Sequence, residues 1–504
     1  MDTHPELSSS GPDPNHKLDI TVQEEPQTPS SSPTLCFGDP SWTIHFQDKK
    51  DDSQPTDYSA RQWGTATKIL ISIVAIASFF VVTLTNSIYI AAIPGVRAEF
   101  QIGSTLAISP VTLYAMGFTI GPLLSSALSE EFGRQWAIKC SLLLHLVFTI
   151  LGATARNFRT LAVARALSGI LGSPLVTIFV GVLNDIWKMP EDRLAVPVFL
   201  LYGLGGIAAP TVGPIIGQPV VEAGGWRWSF WLIAILISVC FLAVLPIAET
   251  YEPEVRRKAL NLPRRDWRKL IGPAVLQPLD MLWKERIIFP TTSVTIAGQV
   301  VLFVLYESFP IMLNEVYGFS PYQTGLAFLA QLAAGFVAFP LLAFIERKRQ
   351  ATVEDPEFIL VGGKLAGAAM WGSLFTLAWL PRHNVHWVWV ILASAVFGFG
   401  FALSQLVYAC YKNEVYSAEL GASVLAIDVS MRYGVSCVFP LFTMQFMERI
   451  GFHWMISLFG VLHLTLWTIP WALQKHGANA RDISPYLNRH SRPYEDAVKS
   501  IQTA

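Results

Sequence analysis

Asp428 and Arg432, four residues apart, interrupt an apolar run, and Glu307 (in VLYESFP) and Arg165 (in ARALSGILGSP) interrupt two others. Ionisable groups in such surroundings are costly, and at membrane depth they mark ion and proton pathways. On a helix, residues i and i+4 share a face, so Asp428 and Arg432 can neutralise each other. Burial strengthens a carboxyl's hold on its proton and a nearby guanidinium weakens it. Asp428 therefore has two readings, a proton-coupling group or one member of a pair that only limits its own cost. Glu307 is the second proton-coupling candidate, against an interfacial carboxylate reached by water. Arg165 either faces a partner or cavity, or snorkels from its position near the outer end of its run.

A second group of residues concerns movement. In the turn ALSEEFGRQ, Gly133 permits a tight reversal, and Glu130 with Arg134 can form a latch, the acid standing near a helix N-terminus where its charge is favoured. The alternative is a generic charged loop. The stretch LYGLGGIAAPTVGPIIGQP, with Gly213, Pro214 and Gly217, makes a thin helix able to kink and to pack closely, although glycine-rich membrane packing alone explains it too. Asn86, Tyr89, Tyr114, Gln331, Gln405 and Tyr408 are candidates to line a substrate cavity, or else to form helix-packing hydrogen bonds. His145 and His463 read as packed histidines. No zinc-protease, phosphate-loop or Ser/His/Asp signature occurs, no cofactor is implied, and five cysteines set far apart suggest neither a disulfide framework nor a metal site.

These residues must be positioned by membrane helices. Of 504 residues, 52% are hydrophobic and 14% charged, with a mean hydropathy of +0.42. Ordinary soluble domains carry about 25% charged residues, so a soluble enzyme is excluded. A net charge of -1 lacks the basic footprint of a nucleic-acid binder. Residues 1–67, rich in Ser, Pro and acids, read as a disordered cytoplasmic tail without a signal peptide, in which Thr28 and Ser32 precede prolines as candidate phosphorylation sites. From Lys68 onward, apolar runs recur over 69–93, 106–128, 137–155, 161–184, 195–217, 228–248, 288–312, 323–345, 360–380, 386–409, 420–446 and 452–473. Each is long enough, at about 20 residues, to cross a bilayer as a helix, which predicts about twelve crossings in an all-α membrane protein.

The basic segment 250–287 divides the spans into two six-helix halves, 68–249 and 288–473, followed by a tail over 474–504. Its basic residues, with Arg347, Lys348 and Arg349, place both termini in the cytoplasm. Two equal halves suggest a repeat with a substrate site between them near the midplane.

In this order, ALSEEFGRQ, ARALSGILGSP, GPIIGQ, GWRWSFWL, AET, YGFSPYQTGLAFL, RYGVSCVFPLF and KHGANAR resemble the major facilitator superfamily, specifically its fungal twelve-span drug:proton antiporter branch with the polyamine and azole-resistance transporters. The resemblance covers roughly residues 68–485. It implies two six-helix halves, a proton-coupling role for Arg165, and gating roles for the 127–135 turn and the 213–218 helix. Three positions depart from the pattern: Glu130 where Asp is usual, Gln218 where a second Gly is common, and Asp428 where Asn is expected.

The resulting expectation is a multi-pass, monomeric carrier that exports a small amphipathic drug, toxin or secondary metabolite in exchange for protons by alternating access. It sits in the plasma membrane, with the vacuolar membrane as the alternative. Because Asp428 and Glu307 are balanced by Arg165 and Arg432, a polycation fits less well than a neutral or weakly charged lipophile. The competing readings are a polyamine:proton antiporter, a nutrient facilitator or symporter, and a non-transporting membrane sensor, for which a longer signalling tail is expected.

Overall fold

The computed structural model describes residues 59–188, 192–260, 276, 279–352, 355–416 and 418–487. The expected N-terminal tail up to residue 58, with Thr28, Ser32 and Cys36, lies outside the described residues, as do most of 261–278 and all of 488–504. The described residues belong to one packed unit, Asp57–Ala504.

A backbone in lipid must satisfy its own hydrogen bonds, and helices dominate accordingly. The first half contains α1 (Thr65–Ser87), α2 (Tyr89–Phe100), α3 (Ser104–Phe132), α4 (Arg134–Ala153), α5 (Phe158–Gly172), α6 (Pro174–Ile186), α7 (Ala195–Gly224) and α8 (Arg227–Val244). A short charged helix, α9 (Glu252–Ala259), follows. The second half contains α10 (Ile288–Tyr317), α11 (Pro321–Thr352), α12 (Leu360–Trp379), α13 (Trp387–Val415), α14 (Ala418–Ser436), α15 (Pro440–Leu466) and α16 (Thr468–Asp482). Two single spans are interrupted: α1 and α2 break at Ile88, and α5 and α6 break at Ser173, where Pro174 cannot donate to the preceding turn.

Among the described residues, 10 helices are long and apolar enough to cross a membrane, and α7 supplies a further span as a pair bent by 49°. The expected span over 420–446 is carried by α14 and the first turns of α15, whose chain reverses at Gly451 with φ +80°. Helix α14, which carries Asp428 and Arg432, is not among these 10. The set is consistent with twelve crossings. Three expected boundaries move outward. Helix α11 continues through Arg347, Lys348 and Arg349, α13 runs on to Val415, and the last span continues as α16 to Asp482. In each case a drop in hydropathy marks where the helix leaves lipid, while its hydrogen-bonded backbone continues.

In the first half α3 packs on α5, α1 on α7, and α4 on both α5 and α8. In the second, α11 and α12 both pack on α13, and α12 also on α15. The halves meet along two seams, α3 against α14 and α7 against α11. Residues 245–260 and 279–287 mark the basic end of the bundle. There, Asp192 joins the α6–α7 connection to α1 through Lys68 (3.1 Å). Hydrogen bonds from the Lys188 backbone and then the Lys68 ammonium hold the Asp192 carboxyl below the usual carboxylate range.

Close packing of α7 on α1 depends on Gly213. A Cβ there would stand 2.0 Å from the Ser87 hydroxyl oxygen and 2.7 Å from the Ser87 carbonyl carbon. Ser87 itself donates to the Ala209 carbonyl (3.0 Å), so it has little freedom to yield. Gly213→Ala is expected to destabilise by about 1–3 kcal/mol through overpacking, read as a lower melting temperature in detergent. Gly203→Ala is the control, because its Cβ would meet only Leu406 at 3.6 Å. Equal melting temperatures for the two variants would refute the prediction.

Candidate functional site

A small cavity, with about 30 Å³ of free space in this conformation, lies between the halves. The first half contributes Asn86, Ser87 and Ile90 beside the α1–α2 break, Phe118 from α3 and Pro210 from α7. The second half contributes Phe303, Tyr306 and Glu307 from α10, Tyr433 from α14 and Pro440 from α15. Phe118 and Tyr433 bridge the seam with ring centroids 4.6 Å apart. Glu307 is the charged residue among the lining groups, and its Oε2 is buried without a hydrogen-bond partner. An unsatisfied buried polar atom is costly, so a carboxyl aimed into an apolar cavity is equipped to take a proton or a cationic ligand.

Arg165 does not snorkel. It is 2% exposed, and its donors go to the Pro110 carbonyl (Nε, 3.2 Å), the Thr85 carbonyl (Nη1, 2.9 Å) and Asn86 Oδ1 (Nη2, 3.0 Å). The guanidinium also lies over the rings of Tyr114 (4.3 Å) and Tyr89 (5.2 Å). Those rings are held in turn, since Tyr114 donates to the Val82 carbonyl (2.7 Å) and Tyr89 to that of Ala107 (3.0 Å). The cation is thus stabilised by dipoles and π-faces, with no carboxylate among its partners. Asn86 belongs both to this cluster and to the cavity lining.

The expected pairing of Asp428 with Arg432 is not what the structure shows. Asp428 forms an ion pair with Lys412 of α13, while Arg432 donates to Gln405 Oε1. Lys412 was not foreseen at membrane depth because hydropathy falls at Tyr411-Lys412-Asn413-Glu414, before the helix ends. Its side chain is fully buried. Lys412 therefore adds a cation to the four charged residues weighed above, Arg165, Arg432, Glu307 and Asp428, and removes their even balance.

At the basic end the turn between α3 and α4 is stapled by distant residues. Gly133 adopts φ +90°, and a Cβ there would stand 2.3 Å from Glu249 Oε2. Glu249 accepts from the backbone amides of Arg134 (2.9 Å) and Gln135 (3.2 Å), so an anion occupies the N-terminus of α4. Arg134 donates through Nε to Asp185 at the end of α6 (3.3 Å) and through Nη1 to the Ser129 hydroxyl (2.7 Å). The side chain of Glu130 lies outside the described residues. An acid at this helix N-terminus is Glu249, more than a hundred residues away in sequence. Replacing Glu249 by Gln is expected to cost about 1–2 kcal/mol, measured as reduced thermal stability at low salt. An unchanged melting temperature would remove Glu249 from the staple.

Two halves around a shared cavity, with the charged turn between the second and third spans, match a known sequence profile: that of the Major Facilitator Superfamily aligns with residues 75–440. The chain belongs to this superfamily. It is a multi-pass membrane transporter of small molecules rather than an enzyme. Among its superfamily relatives are Polyamine transporter 4 of Saccharomyces cerevisiae, 27% identical over 93% of this chain and 77% of the relative, and the MFS-type efflux pump MFS2 of Trichophyton rubrum, 30% identical over 86% and 75%. A third is a probable drug/proton antiporter of Saccharomyces cerevisiae, 25% identical over 96% of each chain.

Within this superfamily member, the cavity contains only one of the six polar residues proposed to line it, Asn86. Tyr89 and Tyr114 support Arg165 instead. Gln405 bridges Arg432 and the Thr295 carbonyl (3.3 Å). Tyr408 is buried beside Gly363 in the second half. Gln331 is buried with its amide nitrogen unpartnered, its backbone close against Gly398. Gly217 lies against α1 and α2 near Ile88 and Ala91, and Pro214 lies within α7. Four of the lining residues missed, Phe118, Phe303, Tyr306 and Tyr433, are aromatic. Their one signal was adjacency to charge, in Tyr306-Glu307 and Arg432-Tyr433.

Proposed function

We propose that this transporter exports small amphipathic molecules in exchange for protons, by alternating access of its two halves around the cavity, as a monomer in the plasma membrane. The basic end faces the cytoplasm, in keeping with the basic residues of 250–287. The observation that carries the reading is Glu307, a single carboxyl with an unpartnered buried oxygen in a cavity walled by Phe118, Phe303, Tyr306 and Tyr433. Aromatic walls suit a flat apolar body. One carboxyl suits a neutral molecule or a single positive charge, and its protonation from the opposite side supplies the exchange.

A polyamine presents several ammonium groups and calls for several carboxylates, and the cavity lining offers one. The names of the relatives divide between the two classes, with efflux pumps and a drug/proton antiporter beside a polyamine transporter. The test is transport by the full chain in sealed proteoliposomes with an imposed pH gradient, comparing tetraphenylphosphonium, a lipophilic monocation, with spermidine. Gradient-driven movement of the monocation at more than ten times the spermidine rate is expected. Dominant spermidine transport would replace this reading with the polyamine one, and counterflow indifferent to the pH gradient would replace it with a facilitator.

A further inference from the structure

Asp428 stands where Asn is expected, and the structure supplies a companion for its extra charge. Its Oδ1 accepts from the Lys412 ammonium, from the Thr292 hydroxyl (3.0 Å) and from the Thr295 hydroxyl (3.0 Å). Lys412 comes from α13, Thr292 and Thr295 from α10, and Asp428 from α14, so one oxygen ties three helices of the second half. The Lys412 and Asp428 side chains are 0% and 7% exposed. Gln405 continues the network on its other side. Its Nε2 donates to the Thr295 carbonyl (3.3 Å) and its Oε1 accepts from Arg432, the other charged group near Asp428.

None of these residues lines the cavity, yet α10, which the network grips at Thr292 and Thr295, is the helix that carries Glu307 into it. Losing the charge on Asp428 would strand the Lys412 ammonium in a fully buried site, and losing Lys412 would strand the carboxylate. Breaking a buried pair by removing one partner is strongly destabilising, whereas replacing both partners by uncharged groups is often tolerated.

We propose that Lys412 and Asp428 form a positioning clasp that remains ionised through the transport cycle and holds α10 against α13 and α14, presenting Glu307 to the cavity. Neither residue then carries the exchanged proton. The assignment of that proton to Glu307 rests on the function proposed above, while the clasp itself rests on the three-helix geometry.

The experiment uses the full chain in proteoliposomes with tetraphenylphosphonium. It records pH-gradient-driven transport and gradient-free counterflow for Lys412→Met, Asp428→Asn, the double variant and Lys412→Arg. Each neutralising single substitution is expected to lower both activities at least tenfold. The double variant should return to within threefold of wild type and keep its response to the gradient. Lys412→Arg should keep wild-type transport with an unshifted pH profile.

Single variants within threefold of wild type would overturn the clasp. So would a double variant that sustains counterflow without responding to pH, which would place the proton on this pair. If the double variant does not fold, Lys412→Arg still decides. A shift of its pH midpoint by a full unit, or a tenfold loss, overturns the proposal. Should Glu307→Gln keep gradient-driven transport, the proton assignment fails while the comparison of single and double variants still tests the clasp.

Discussion

Glu307→Gln is expected to abolish pH-driven accumulation of a lipophilic monocation. The substitution keeps the size and hydrogen-bonding ability of the side chain but removes its charge and its titration. In a cavity whose other lining groups are neutral, no second carboxylate can take over. The attraction between a carboxylate and a monocation roughly 6 Å away is about 3 kcal/mol at an effective dielectric of about 20, so affinity for the cation should fall by up to about a hundredfold. The driving effect of the gradient should disappear altogether, because exchange requires one site to alternate between proton and substrate. A neutral amphipathic probe should still equilibrate by counterflow, which separates lost coupling from lost folding. Gradient-driven accumulation at the wild-type level in Glu307→Gln would eliminate Glu307 as the exchanging group.

Arg165→Ala is expected to prevent recovery of a stable folded protein. Three buried acceptors, the Thr85 and Pro110 carbonyls and Asn86 Oδ1, lose their donor together. Hydrogen bonds to a charged group contribute about 1.5–3 kcal/mol each, and with the cavity left by a large buried side chain the total approaches the roughly 5–15 kcal/mol by which folded proteins are stable. Arg165→Lys retains the charge, but a single ammonium cannot serve three acceptors spread across α1, α3 and the Asn86 side chain as a planar guanidinium does. It should fold with a lower melting temperature and lose at least tenfold in transport, since Asn86 is released from its fixed orientation at the cavity wall. A melting temperature for Arg165→Ala equal to that of wild type would show that the three bonds are not made in solution.

Several parts of this architecture were readable along the chain. The recurrent apolar runs announced membrane helices because the cost of placing a side chain in lipid accumulates residue by residue, with no reference to neighbours. Arg165 stood out for the same reason: its cost demanded partners. Those partners are mostly carbonyls and aromatic faces, which carry no compositional signal. The turn around Gly133 was also recognisable as a reversal, and its φ of +90° agrees.

Pairing was less legible. The spacing of Asp428 and Arg432 suggested a bond within one helix, but contacts between helices prevailed: Lys412 reaches Asp428 from α13, and Gln405 reaches Arg432. The staple at the basic end likewise joins Arg134 to Asp185 and α4 to Glu249, residues with no local relation to the turn. Lys412 was hidden by its own charge, which reads as the end of a span when the helix in fact runs on to Val415.

Local transfer energies and motif order were therefore enough to establish a helical membrane transporter of this superfamily, with Arg165, Glu307 and Asp428 among its costly residues. The company those residues keep depends on the depth and rotation of each helix against its neighbours, which the packing of two halves sets and no stretch of chain encodes alone. For that reason the fold alone reveals that Glu307 faces the cavity and that Lys412 lies buried against Asp428.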